Sequence, residues 1–301
     1  MNDFIVDLKY FDQEAREKLI FDIKRKYDFI SVETLGQSYC KREIFSAKIG
    51  SQKDACLLVG GVHGMEWITS LLLILFLDTI CQSIKYHYKI YGIDLKSLFY
   101  KKGVCFVPCL NPDGIEISIH NFLSAKDYAP LVKKISKGNT KTWQANARGV
   151  DLNHNFDAKW QELHKLEKQC GILEPAATRF GGEYPESEVE TQLLVKLCKE
   201  NNYRHAIAFH SQGEEIYWNF GKNQPKNSLL LANLFSSLSG YKLSQPEGLA
   251  AGGGFKDWFI EKFNRPAFTI EIGKGKNPLP IRDIYKIYSN LEKMLVFSIL
   301  F

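Results

Sequence analysis

The chain has 301 residues, of which 45% are hydrophobic, 13% aromatic and 24% charged. These fractions exclude a disordered or collagen-like polymer and leave room for one large α/β domain or two small ones. Lys and Arg number 39 against 34 Asp and Glu, a net charge of +5 with neutral His. So mild and dispersed a surplus argues against nucleic acid as a partner and is compatible with an acidic small substrate.

The first eighteen residues, MNDFIVDLKYFDQEAREK, mix charges of both signs and carry no apolar run of the secretory kind, so a cytoplasmic location is expected. Residues 9–28 alternate charged and apolar positions at helical spacing and predict an amphipathic helix, with 1–28 as a helical extension. Residues 30–49 read as two strands around a turn at Leu35-Gly36-Gln37. The apolar run 55–59 reads as a buried strand that ends at Gly60-Gly61 and opens into a loop carrying His63 and Glu66. Residues 67–86 follow a long apolar helical pattern. The longest apolar run, 68–76, is about ten residues and too short to span a bilayer, so no membrane partner is expected. Residues 104–109 read as another buried strand, closed by the turn Asn111-Pro112-Asp113-Gly114.

Residues 120–180 are polar and irregular, as expected of a substrate-facing excursion or a flexible region. Ser187, with Glu190 three positions on, is a capping-box signature for a helix over 188–200. Residues 205–209 form a strand pattern ending at His210, which 216–220 could continue. Helices are predicted over 228–239, 255–262 and 281–301, the last as core or a dimer contact, and a strand over 267–272. With strands and helices alternating and no linker or repeat, the chain reads as a single α/β domain over 1–301. Its central sheet is mixed and mostly parallel, with helices on both faces. The seven cysteines lack paired CxxC spacing and read as buried, reduced thiols.

Ligands of open α/β sheets bind beyond the carboxyl ends of the strands. His63 and Glu66 follow one predicted strand, His210 closes a second, and Glu271 lies in the apolar segment Ala267–Gly273. Two His and one carboxylate make a catalytic zinc set with a fourth position left for water. An HxxE spacing alone also arises by chance, and His63 could be an ordinary surface or core residue. Glu271 between Ile270 and Ile272 is costly to bury without a partner. It points to solvent by alternation unless it serves as general base and then general acid beside a metal site. Arg148 has the fixed charge and donors suited to an oxyanion, and Asp151 could orient a metal-bound imidazole. Taken singly, each reads equally as a surface arginine and a turn aspartate. Gly252-Gly253-Gly254 reads as a loop near the site, and Ser211 lacks the surroundings of a serine nucleophile.

In order along the chain stand Gly60-Gly61-Val62-His63-Gly64-Met65-Glu66-Trp67, Asn111-Pro112-Asp113-Gly114, and Ala147-Arg148-Gly149-Val150-Asp151-Leu152-Asn153-His154-Asn155-Phe156. They are followed by Ser187-Glu188-Val189-Glu190, His210-Ser211-Gln212-Gly213-Glu214-Glu215-Ile216-Tyr217-Trp218 and Thr269-Ile270-Glu271-Ile272-Gly273. Together they resemble the zinc carboxypeptidase family over roughly residues 30–300. The resemblance implies that family's fold and a Zn²⁺ cofactor held by His63, Glu66 and His210. It implies Glu271 as the catalytic glutamate, Arg148 as the arginine that polarises the scissile carbonyl, and Asp151 as the carboxylate behind His63.

Two departures bear on the substrate. Carboxypeptidases of this family carry Asn-Arg where this chain has Asn153-His154, and that arginine grips a terminal carboxylate. Their active-site tyrosine also has no counterpart, its place falling near Leu249. The segments Asp151–Asp157, His210–Trp218 and Glu271–Pro280 resemble the γ-D-glutamyl-L-diamino acid endopeptidase branch. That branch cuts the bond between γ-D-glutamate and meso-diaminopimelate or lysine in peptidoglycan peptides. By this resemblance Asn153 and His154 contact the diamino acid, and the substrate is a small muropeptide met inside the cell or forespore, or after lysis. The competing expectations are a carboxypeptidase releasing a C-terminal residue, a deacylase of N-acyl amino acids, and a non-catalytic zinc-binding muropeptide sensor.

Overall fold

A computed structural model of the chain describes residues 10–222 and 224–301. The predicted start of the first helix at residue 9, and residues 1–9 of the predicted extension, lie outside the described residues. The strands are β1 (Ser31–Gln37), β2 (Glu43–Gly50), β3 (Ala55–Val59), β4 (Gly103–Val107), β5 (Ala206–His210), β6 (Glu215–Tyr217), β7 (Lys242–Ser244) and β8 (Ala267–Glu271). They form one sheet in the order β1-β2-β4-β3-β5-β8-β6-β7. The central strands β4, β3, β5 and β8 are mutually parallel, and the β1–β2 hairpin joins antiparallel to β4. On the other side β6 runs antiparallel to β8, so it does not prolong β5.

β3, β4 and β5 are buried along their whole length and β8 as far as Ile270, because both faces are covered, and their side chains divide by alternation. Cys56, Leu58, Phe106, Ile207, Phe209 and Ile270 point into the larger core. Ala55, Leu57, Val59, Val107, Ala208 and Ala267 point into the other. The helices of eight or more residues are α1 (Gln13–Lys26), α2 (Ile68–Tyr86), α3 (Pro112–His120), α4 (Ala129–Ser136), α5 (Trp160–Gln169), α6 (Val189–Glu200), α7 (Ser228–Ser239), α8 (Phe255–Phe263) and α9 (Ile284–Leu300). α1, α2, α7 and α9 cover the first face, α6 and α8 the second. Each fully buried Leu or Ile contributes about 1.5–3 kcal/mol.

α1 is no appendage: Leu19, Ile20 and Ile23 sit in the larger core, and Asp12 caps its first turn by accepting from Ala15 N. The helical segment Gly64–Tyr86 is 23 residues long and apolar enough to cross a bilayer on length and composition, which the 68–76 run does not suggest. Of its most apolar window 83% is buried, so its apolar faces are taken up by the core. Among the described residues no cysteine is paired, and all but the exposed Cys170 are buried.

Three predicted turns and caps come out differently. Leu35-Gly36-Gln37 lies inside β1, where the register shifts between Thr34 and Gly36. A Cβ at Gly36 would stand 2.8 Å from Leu193 Cδ2 of α6, so a larger residue there would have to displace that side chain. The hairpin reverses instead at residues 38–42, with Ser38 N donating to Arg42 O at 2.9 Å. The Asn111–Gly114 segment starts α3 rather than closing a turn: Asn111 Oδ1 accepts from Gly114 N at 2.8 Å, and Pro112 occupies the first helical position. Ser187 does not cap α6; its hydroxyl donates to Glu188 Oε1 and accepts from Asn155 Nδ2.

Candidate metal centre and substrate cleft

β3 stops at Val59, and the glycines after it turn the chain over the strand end. Gly61 adopts φ +59°, and its N–H donates to Thr69 Oγ1 at 2.8 Å. His63 follows in extended backbone, and the single turn Gly64–Glu66 sets Glu66 beside it. Position 64 admits only glycine, since a Cβ there would lie 2.2 Å from Gly114 O. Gly64 N donates to Gln144 O at 3.0 Å and Met65 N to Trp143 O at 2.8 Å, while Asn111 Nδ2 donates to Val62 O at 3.0 Å. The start of α3 and the 120–180 excursion therefore lock the loop that carries His63 and Glu66.

His210 comes from the end of β5, where parallel register pairs it with Glu271 on β8. Paired positions on neighbouring strands send their side chains to the same face, so both reach one cleft. Three segments far apart in sequence thus converge at the carboxyl edge of adjacent strands.

The Nδ1 atoms of His63 and His210 are 3.2 Å apart, and Glu66 places Oε1 3.0 Å from the first and Oε2 3.2 Å from the second. At most one of two facing nitrogens at this distance carries a proton, so a lone pair points into the triad, and a cation is its natural partner. Ligands held at about 2.0–2.1 Å from Zn²⁺ in a tetrahedron stand about 3.3 Å apart, so this spacing fits zinc. His63 Nε2 lies 3.0 Å from Asp151 Oδ1. Burial opposes protonation of His63, but the Glu66 and Asp151 charges raise the ring well above its ordinary range without a metal, and with Nε2–H donating to Asp151, Nδ1 is the ring atom that a metal would take in place of a proton. Burial opposes ionisation of Asp151, but the charges of His63 and His154 outweigh it and hold the carboxyl below the ordinary range. Burial lowers His210, which favours the neutral ring that a metal needs. Glu271 is pushed well above the usual carboxyl range, first by burial and then by the Glu66 and Glu215 charges. A base poised in this way takes a proton near neutral pH more effectively than an ordinary carboxylate.

One cavity is lined by His63, His210, Glu271, Asp151, Asn153 and His154. Asn153 Oδ1 accepts from Phe255 N at 3.1 Å at the start of α8, which leaves its NH₂ as the group it can offer a ligand. His154 Nδ1 lies 2.8 Å from Oε1 of the fully buried Glu167, so Nε2 is the ring atom left to the cleft. Glu167 also meets His164 Nδ1 at 3.0 Å and Gly181 N at 3.2 Å. Leu249 and Tyr217 also line the cavity.

Arg148 is not brought to this cavity. Its Nη1 donates to Tyr39 OH at 2.9 Å and stands 3.8 Å from the buried carboxylate of Glu188, and its guanidinium lies 5.0 Å from the Tyr39 ring centroid. Asn146 Oδ1 accepts from Arg148 N and Val150 N, a tight loop that turns the side chain toward Glu188 rather than the metal. The cationic side chains that do line the cavity are Arg179 and Lys256. Neither they nor Gln144 and Glu167 stand in a recognisable motif. Only the polarity of residues 120–180 hinted that this excursion builds a wall of the cleft.

The zinc carboxypeptidase family pattern matches residues 17–293. The "Gamma-D-glutamyl-L-diamino acid endopeptidase 1" of Lysinibacillus sphaericus is 33% identical over 272 residues, covering 89% of this chain and 67% of that protein. An uncharacterized protein of Bacillus subtilis is 30% identical over 304 residues, covering 100% of this chain and 80% of the relative. Among solved structures, thrombin-activatable fibrinolysis inhibitor shares the fold with a TM-score of 0.73 at 20% identity, covering 96% of this chain and 74% of that one. Because the matched span takes in every strand of the sheet and all three positions of the His–Glu–His cluster, the chain belongs to the zinc carboxypeptidase family and is a zinc-dependent peptidase.

Proposed function

We propose that this peptidase hydrolyses the amide between a γ-D-glutamyl residue and an L-diamino acid in peptidoglycan-derived peptides. The observation that carries this reading is His154, fixed through Nδ1 to Glu167 on the cavity wall. A ring held in this way offers one nitrogen and no guanidinium fork, which disfavours capture of a peptide's terminal carboxylate. The Asn153 amide and His154 Nε2 instead suit the polar groups of a diamino acid. The relative named for that activity supports the same reading.

Zinc, when bound by His63, Glu66 and His210, would supply Lewis-acid polarisation of a carbonyl and acidify a water. Asp151 keeps the His63 ring oriented by accepting from Nε2. The Glu271 carboxylate takes the proton of the attacking water and returns it to the departing amine. The test is incubation of the zinc-loaded protein with L-Ala-γ-D-Glu-meso-diaminopimelate and with a plain α-linked tripeptide, with products read by mass. Release of L-Ala-D-Glu and free diamino acid, with the plain peptide left intact, is expected. Equal trimming of the plain peptide would mark an ordinary carboxypeptidase.

A further inference from the structure

Two side chains with a permanent positive charge line the cleft, Arg179 and Lys256. Lys256 is engaged: Nζ donates to Asn219 O at 2.7 Å and pairs with Asp257 in a buried contact. Arg148 lies outside the cavity, against Tyr39 and Glu188. Among the described residues the guanidinium of Arg179 makes no hydrogen bond or ion pair, and its side chain is exposed to the cleft. A fixed cation without a counter-charge, beside a peptidase centre, is a place for a substrate anion.

The backbone of Arg179 is tied to the metal centre. Its N–H donates to Asp151 Oδ2 at 2.8 Å, while Oδ1 of the same carboxylate lies 3.0 Å from His63 Nε2. Arg179 holds φ +66°, a left-handed conformation that a residue with a Cβ keeps only against a steric cost. The bond to Asp151 holds it there. Beside it, Gln144 Oε1 accepts from Thr178 Oγ1, which leaves the Gln144 NH₂ as a further donor on the same wall.

We propose that Arg179 is a specificity-determining residue, its guanidinium binding the free α-carboxylate of the residue whose γ-carbonyl is cleaved. In an α-linked peptide the α-carboxyl on the acyl side is consumed in the scissile bond, whereas a γ-glutamyl amide keeps it free unless it is amidated. The planar fork of arginine matches a carboxylate by two parallel bonds. This assignment rests on the γ-glutamyl reading above.

The experiment compares three tripeptides on the zinc-loaded protein: L-Ala-γ-D-Glu-meso-diaminopimelate, its D-isoglutamine analogue with the α-carboxyl amidated, and an analogue amidated on the diamino acid instead. The wild type is expected to favour the free γ-glutamyl carboxylate over the isoglutamine form by about tenfold or more in kcat/KM. Arg179→Gln brings that ratio close to one, chiefly through KM, and leaves zinc content and the melting midpoint unchanged. Arg179→Lys recovers part of the ratio, because charge without the fork is a weaker clamp. A ratio that survives Arg179→Gln overturns the assignment, as does loss of discrimination only against the analogue amidated on the diamino acid. A wild type that cleaves none of the three removes the γ-glutamyl reading itself, and this assignment with it.

Discussion

Glu271 and Arg148 are both charged groups that the sequence places near the chemistry, and their surroundings give them different work. Glu271 is the last residue of β8, opposite His210 and Glu215 in register, and it lines the cavity without ligating through the triad. Glu271→Gln keeps the shape and removes the proton acceptor, so kcat should fall about 10²- to 10⁴-fold. Zinc content by elemental analysis should stay at one per chain, since His63, Glu66 and His210 are untouched; loss of metal in this variant would contradict the division of roles. Arg148, by contrast, covers the fully buried carboxylate of Glu188. Arg148→Ala is expected to cost about 1–3 kcal/mol of stability in urea unfolding. Glu188 still accepts from Ser187 Oγ at 2.8 Å and Asn146 Nδ2 at 2.7 Å, which keeps the cost modest. Its kcat/KM at 25 °C should stay within a few-fold of wild type, and a hundredfold drop would return Arg148 to the active site.

Among the elements, the most constrained is the loop after β3. Its turn is threaded between the start of α3 and the carbonyls of residues 143–145, with contact distances that leave no room for a methyl group. Gly64→Ala drives a Cβ into backbone, not into a flexible side chain, so the loop has to move. Zinc affinity should fall at least about tenfold in a chelator competition, with a lowered melting midpoint; unchanged affinity would show that the loop tolerates displacement. Much at this scale was legible. Unbroken apolar runs marked β3, β4, β5 and β8 because those strands are buried on both faces, and His63, Glu66, His210 and Glu271 stand out as polar residues at their ends. The β1–β2 turn was misplaced because Gly36 lies within β1, packed against the Leu193 side chain of α6, a contact no local pattern announces. Asn-Pro-Asp-Gly favours a turn and a helix start alike, and the carbonyls of Val62, Gln144 and Ala145, which accept from Asn111 Nδ2, decide for the helix. The direction of the Arg148 side chain depends on a carboxylate forty residues on, and so was invisible locally.

At the scale of the whole molecule, a buried acidic cluster behind the cleft wall joins four distant segments. Asp113 of α3 accepts from Arg42 Nη1 at 2.8 Å and from Cys40 N at 2.9 Å in the hairpin turn. Asn146 Nδ2 of the excursion donates to Glu188 Oε2 and, at 3.3 Å, to Glu190 Oε2 of α6. Asp113 has Arg42 and Glu188 has Arg148 as counter-charge, but Glu190 is fully buried with Oε1 unpartnered. Burial first, then the Asp113 and Glu188 charges, push its carboxyl from 4.5 up to about 8. Folded Glu190 therefore binds a proton that the unfolded chain releases between about pH 4.5 and pH 8. Because the folded state holds the extra proton, unfolding free energy falls as pH rises through that window, by at most about 1.4 kcal/mol per pH unit from this group. Stability from this source is fully present below pH 4.5 and lost above about pH 8. Glu190→Gln puts a neutral isostere in the same space, so it should flatten that slope and leave the variant more stable than wild type at pH 8.5. Urea midpoints of the zinc-loaded proteins at pH 5, 6.5 and 8.5, at one ionic strength, measure this directly. Parallel profiles for the two proteins would mean that Glu190 is ionised in the fold and that the Asn146 amide alone suffices to hold it.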